Sequence, residues 1–428
     1  MKHAFGCGSP EHDLTRRAFL TGTAGAVGAL NFGGMVHPAA AKELEEQQRR
    51  VVVIWLSGGV SQLETWDPKP GTDTGGPFLP INTTVPGVQI CELLPHTAKM
   101  MHHLALVRGI NTAEDDHGKG AYIMHTGRRQ EPRLQYPHLG SVCSKVLRDP
   151  ENPLPGYIHI TPKGNGAVSA EDAAFLGPRH ASVALSDGQA PANIVRPPTL
   201  TEEDDTERQL LRMRANERFE RTHRTADTEA YTFSYDQAAQ LMQRRSLFDI
   251  NKEPPRVREQ YGAHDFGRHC LMARRLLEGG ATFVKVSHSN YDTHHENFDF
   301  HIQQLGEFDR PFATLLDDLH QRGMLDSTLV VVMSEFGRTP TINRNYGRDH
   351  WSKAWSIALA GCGIKAGAVA GKTNANGTAV TDREVNGGHL FQTYFKAVGI
   401  DPKKSHYVDQ RPIPMTDPKA NVIQEVLS

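Results

Sequence analysis

The sequence predicts an α/β protein: a largely parallel central sheet flanked by helices, with a helical insertion. Three apolar runs carry that expectation. Residues 51–56 read VVVIWL, 281–286 read ATFVKV and 329–333 read LVVVM. Short β-branched runs of this kind form strands buried on both faces, the pattern of a parallel sheet. Each breaks directly into polar sequence: Ser57-Gly58-Gly59, then Ser287 to His295, then Ser334-Glu335-Phe336-Gly337-Arg338. Ligands of open α/β sheets bind beyond the carboxyl ends of the strands. The three polar clusters are therefore expected on one rim.

Helical patterns lie between the runs. Residues 266–277 are amphipathic and end at Glu278-Gly279-Gly280, a helix stop before a strand. Residues 298–322 are long and periodic and end at Gly323. Weaker strand patterns occupy 104–107, 157–160 and 356–360, and a late helix starts near Gly387. The stretch from about 186 to 262 differs, with Glu202-Glu203-Asp204-Asp205, many arginines and few strand-like runs. It reads as a helical insertion lying over the active rim, or equally as a solvated helical pair without a chemical role.

Composition narrows the class. The 428 residues carry 47 Lys+Arg against 49 Asp+Glu, a formal net charge of −2. That balance excludes a strongly basic nucleic-acid binder. Hydrophobic residues at 38% and charged residues at 22% describe an ordinary globular chain. The five cysteines include no Cys-x-x-Cys pair, which excludes a zinc ribbon or a cysteine-held cluster.

The first residues read as an address. Arg16-Arg17 precedes a mild, glycine-rich apolar run that closes on Pro38-Ala39-Ala40-Ala41. Twin arginine, a weak hydrophobic stretch and an Ala-x-Ala end form the layout of a twin-arginine export signal. Residues 1–41 are thus expected to be a signal peptide, read by the twin-arginine translocase. Residues 42–428 would form the mature domain, periplasmic or extracellular. Its cysteines Cys91, Cys143, Cys270 and Cys362 are free to pair there, and their spacing does not decide it.

Four constellations could carry chemistry. Asp292-Thr293-His294-His295 places one carboxylate and two imidazoles just after a strand. It offers ligands to zinc, manganese or iron, or else is a polar loop with surface histidines. Glu335 ends a valine-rich run, where an unpaired carboxylate is costly to bury. It reaches solvent, pairs with Arg338 or binds a cation, and Asp349-His350 could complete the same site. Asp115-Asp116-His117-Gly118-Lys119-Gly120 leads into an expected helix ending in Gly127-Arg128. Its amides would favour an anion, with Lys119 and Arg128 adding charge, or Asp116 is simply the N-cap. The helix dipole and Lys119 are expected to lower the His117 pKa. Last, Ser57-Gly58-Gly59 permits close backbone approach, with Glu64 and Asp67 nearby; Asp67 is a further ligand or a turn residue.

At these residues the chain resembles the domain of unknown function 1501 family. The resemblance lies in Trp55 to Gly59 and Asp67-Pro68-Lys69-Pro70, in residues 266–286, in Tyr291-Asp292-Thr293-His294, and in Ser334 to Pro340 followed by Gly347-Arg348-Asp349-His350-Trp351. Asn290-Tyr291 departs from it, where the family more often has Gly-Trp. The family is similar in fold to alkaline phosphatases and sulfatases. The resemblance implies an alkaline-phosphatase-like core and a divalent metal (zinc, manganese, calcium or magnesium) held by Asp292 and His294, with Glu335 in place of an Asp and His350 in place of a missing His; Asp67 stays the further ligand or turn residue read above. It also puts His117 where a sulfatase has its Cys or Ser nucleophile, with Lys119 and Arg128 as catalytic companions. The implied activity is hydrolysis of an anionic sulfate or phosphate ester, free or in a polymer. A non-catalytic surface protein that binds such a polymer is the alternative, because the nucleophile is altered.

Overall fold

Eight strands make one sheet. A computed structural model describes residues 48–150, 152–163, 170–190, 195–221, 235, 237–408 and 410–428. The expected signal peptide, 1–41, lies outside the described residues, as do parts of the 186–262 segment. In chain order the strands are β1 (Arg50–Leu56), β2 (Leu104–Ile110), β3 (Tyr157–Thr161), β4 (Val183–Ser186), β5 (Phe283–His288), β6 (Thr328–Met333), β7 (Trp355–Gly361) and β8 (Val369–Ala370). Their order across the sheet is β8-β2-β7-β6-β1-β5-β3-β4. Pairings are parallel except those of β7, which runs antiparallel to both β2 and β6. The largely parallel α/β sheet expected from the sequence is the sheet observed.

The three strongest runs of the sequence are neighbours at its centre. β1 pairs with β5 in the register Val53↔Lys285 and with β6 in the register Val53↔Val331. All seven residues of β1 are buried, because helices cover both faces. Val52, Ile54 and Leu56 face one core, with α4 (Asp265–Glu278) and α5 (Asn297–Gln321) above them. Val51, Val53 and Trp55 face the other, under α1 (His117–Thr126), α2 (Leu139–Val146) and α6 (Gly387–Ala397). Each such side chain contributes roughly 1.5–3 kcal/mol relative to exposure. A period-2 strand between two amphipathic layers is thereby fixed in register.

The 186–262 segment contains a helix, α3 (Glu202–Glu220), started by a Thr201–Asp204 capping box. Its later part packs on α4 and α5. Arg275 donates to the carbonyls of Leu247 and Ser246, Tyr261 Oη donates to Asp318, and Arg310 donates to Gln260 O. Phe248 and Tyr261 are buried in the same core. These contacts hold residues 246–261 against α4 and α5.

Candidate metal centre

Three strand ends build the rim. β1 leaves through Gly58 at φ +114°, where an added Cβ would stand 2.5 Å from the Asp292 nitrogen. Only glycine lets the β1 exit lie against the β5 exit this closely. That contact brings Asp292 beside the β6 exit. There Arg338, fully buried, donates to Asp292 Oδ1 at 2.6 Å, to Gly59 O at 2.8 Å, to Arg348 O at 3.0 Å and to Gly58 O. Arg348, also fully buried, forms a pair with Glu64 at 2.8 Å and donates to Thr74, Thr339 and Pro340 carbonyls. Two buried guanidiniums thus hold the loops, each facing a carboxylate. An Arg338 pair was one of the three alternatives for Glu335; the structure gives Arg338 to Asp292 instead, because the turn after β6 carries it under Gly58.

Asp116 caps α1, accepting from the Lys119 amide at 2.9 Å. An internal carboxylate therefore occupies the helix terminus read as an anion site. The cap sets His117 on the rim. Its Nδ1 lies 2.8 Å from Glu335 Oε1 and its Nε2 3.3 Å from Asp292 Oδ2. Glu335 also accepts from the Gly58 amide at 2.9 Å. His294 Nδ1 lies 2.7 Å from Asp349 Oδ1, and its Nε2 lies 3.1 Å from Asp292 Oδ1 and 3.0 Å from His350 Nε2. His350 Nδ1 lies 2.7 Å from the Asp115 carbonyl and its Nε2 3.2 Å from Asp292 Oδ1.

The tautomers follow from these partners. Each Nδ1 faces an oxygen that can only accept, so each Nδ1 carries a proton. Each Nε2 is then a lone pair when the ring is neutral. Three such lone pairs converge on the Asp292 carboxylate, and two of them face each other at 3.0 Å. Acceptors gathered this way repel unless a proton or a metal cation sits among them. His117, Asp292 and His350 each offer a ligand atom, all within 4.8 Å of one another. Imidazoles whose second nitrogen is held by a carboxylate or carbonyl are the arrangement of a metal ligand. The donor set of nitrogen and carboxylate oxygen fits a divalent ion such as zinc or manganese.

Electrostatics agree with a cation-seeking site. The hydrogen bond to Glu335, with the nearby Asp292 charge, raises the His117 pKa against the opposing effect of burial. The expectation of a lowered value is corrected: two carboxylates outweigh the helix terminus and Lys119. Burial alone would raise the Asp292 carboxyl, but the Arg338 guanidinium overrides it and holds it at about 2.

His117, Asp292, His294, Glu335 and His350 are thus brought together. Three other candidates are not. Asp67 accepts from Lys69 Nζ at 2.9 Å and from Thr373 Oγ1 as a buried loop anchor. Arg128 donates to the carbonyls of Pro414 and Thr416 and stacks over Tyr136. The Lys119 side chain is exposed. Glu335 Oε1 takes Gly58 N and His117 Nδ1 and its Oε2 takes Ser334 Oγ, so it orients an imidazole. Asp349 does the same for His294, a role that its place beside His350 hinted at. The Asp115 carbonyl had no signal in the sequence. Cys91, Cys143, Cys270 and Cys362 are buried and free.

The family model described as "Protein of unknown function (DUF1501)" matches residues 48–427. No curated protein matches the chain. Among solved structures, alkaline phosphatase from the Antarctic bacterium TAB5 overlays at TM-score 0.38 and 13% identity, over 82% of this chain and 98% of its own. PsFucS1 sulfatase from Pseudoalteromonas sp. overlays at TM-score 0.37 and 14% identity, over 88% and 72%. The lipoteichoic acid synthase LtaP from Listeria monocytogenes overlays at TM-score 0.38 and 9% identity, over 90% and 82%. These overlaps are loose, and no functional residue is carried over from them.

Proposed function

We propose that this chain, which belongs to the DUF1501 family, is an exported, metal-dependent hydrolase of anionic esters, with sulfate or phosphate esters as substrates. The observation that carries the metal is the convergence of the His117, His294 and His350 Nε2 atoms on Asp292. His117, Asp292 and His350 would hold the ion, with His294 beside them. When bound, a divalent metal polarises an ester oxygen and lowers the pKa of a water. The substrate class follows from the resemblance to sulfatases and phosphatases in the sequence. Export follows from the twin-arginine pattern.

The residues define the rest of the chemistry. Glu335 keeps the His117 proton on Nδ1, so Nε2 stays available as a ligand or a general base. The first residue of α1 is an imidazole where a hydroxyl or thiol nucleophile would stand. Direct attack by water is therefore the reaction this site supports. The Asp116 cap favours a second reading, a binding protein without turnover, because it takes the helix-terminus amide that would otherwise hold an ester oxyanion.

The test is elemental analysis of protein purified after export, with activity on a panel of aryl phosphates and sulfates. Bound metal that is lost in both Asp292→Asn and His350→Ala, together with activity, supports the hydrolase. Bound metal without turnover on any ester moves the assignment to the binding protein. Protein that binds no divalent metal overturns the hydrolase and leaves the binding protein.

A further inference from the structure

A second cluster of imidazoles lies below the rim, on the opposite end of α1. Its centre is Lys285 of β5, buried on both sides of its strand. Lys285 Nζ lies 2.8 Å from His125 Nε2 and 4.9 Å from the Trp55 ring centre. Among the described residues no carboxylate reaches ion-pair distance of it. His159 stands opposite in the sheet register and lies 2.8 Å from Ser287 Oγ. Lys285, His138 and His159 line a cavity of about 900 Å³, walled by Tyr122, Tyr136 and Phe175. That volume is the size of a small-molecule site.

We propose that this cavity binds a small organic anion, its charged oxygens on Lys285 and His159 and its body among the aromatic walls. A buried ammonium without a counter-charge is costly. The chain keeps a lysine there, lining the cavity, with bases as its neighbours and no carboxylate at ion-pair distance among the described residues. A carboxylate, sulfate or phosphate group would supply the missing charge.

The surrounding charges are these. Arg133 lines the mouth, and Arg128 stacks over Tyr136 beside it. Two acids also line the cavity. Glu131 accepts from Tyr136 Oη at 2.8 Å, and Asp172 accepts from the Ser182 amide at 3.2 Å. Burial pushes the Asp172 carboxyl up, towards its neutral form. Glu335, from the β6 exit, and Asp172, from the cavity wall, both act on Lys285, each from beyond ion-pair distance. Burial lowers Lys285 to about 7, and burial with the Lys285 charge lowers His138 to about 3 and drives His125 and His159 well down. Anion binding would therefore draw in a proton. Among the described residues, three His, Cys, Asp or Glu ligand atoms lie within 4.8 Å of one another at the rim and not here.

The test is calorimetric titration of the purified protein with benzoate at pH 8, in HEPES and in Tris. The expected result is binding with net proton uptake, read from the difference between buffers. Affinity should fall at least tenfold in both Lys285→Met and His159→Gln. It should be unchanged in Asp292→Asn, which separates this cavity from the rim whether or not the rim is a metal site. Absence of benzoate binding below about 10 mM, a free energy near 3 kcal/mol, overturns the proposal. So does binding that survives both cavity variants, and so does binding lost only in Asp292→Asn.

Discussion

The two ends of α1 hold similar side chains and opposite electrostatics. At the rim, His117, His294 and His350 face Glu335, Asp349 and Asp292. In the cavity, His125, His138 and His159 surround an amine. Carboxylates raise His117; burial and Lys285 lower the other three. The same residue type is thus prepared for a cation in one place and for an anion in the other, some 12 Å away at 1.5 Å per helical residue. What an imidazole can do is decided by the charge set beside it.

The buried cations sharpen that contrast. Arg348 is fully buried against Glu64, which is equally buried. Arg348→Leu leaves a carboxylate stranded and should cost about 3–5 kcal/mol. Urea unfolding would measure it, and a loss under about 1 kcal/mol would remove the pair from the rim's scaffold.

Lys285 should behave in the opposite way. Its folded pKa, about 7, lies below that of an unfolded lysine, so the unfolded chain binds more protons at pH 8–10. Stability from this group therefore rises with pH above 7, and its penalty is complete below 7. Lys285→Met should stabilise the protein at pH 7, where the penalty of burying the ammonium is close to complete. The gain should shrink as pH approaches 10. Melting curves of the two proteins from pH 6 to 10 would show it. A destabilised variant with parallel curves would mean that Lys285 is paired in the folded state.

These opposite cations also mark the limit of sequence reading. VVVIWL and LVVVM announced buried strands because β-branched runs have one low-cost solution in a covered sheet. The rim followed, since strand ends in such sheets share an edge. Asp292, His294 and His350 were legible as polar residues at those ends. Partner choice was not. Arg338 stands three residues from Glu335 and goes to Asp292, a decision made by the turn after β6. Asp67 resembled a rim acid, yet Thr373 and Lys69 hold it. Lys285 had a signal that went unused: a lysine inside FVKVSH, a strand buried at every position. Within the 186–262 segment, the charge-rich helix hid from view the few residues, Phe248 and Tyr261, that dock its later part.

The smallest expected effect separates the two ends of α1 most cleanly. Asp116 accepts from the Lys119 amide and begins the helix; it touches neither cluster's ring nitrogens directly. Asp116→Ala should cost about 1 kcal/mol, the usual loss of an N-cap. Helix ends fray locally, so the first turn loosens before the last. His117 lies in that first turn, and His125 lies in the last, beside the αL cap at Gly127. The variant should therefore weaken metal binding at the rim several-fold and leave benzoate binding in the cavity unchanged. Titrating zinc and benzoate into the same preparation gives both numbers at once. Equal losses at the two sites would show that α1 moves as one rigid unit, and the clusters would then be coupled through it. An unchanged zinc affinity would show that Glu335, not the cap, holds His117 in place.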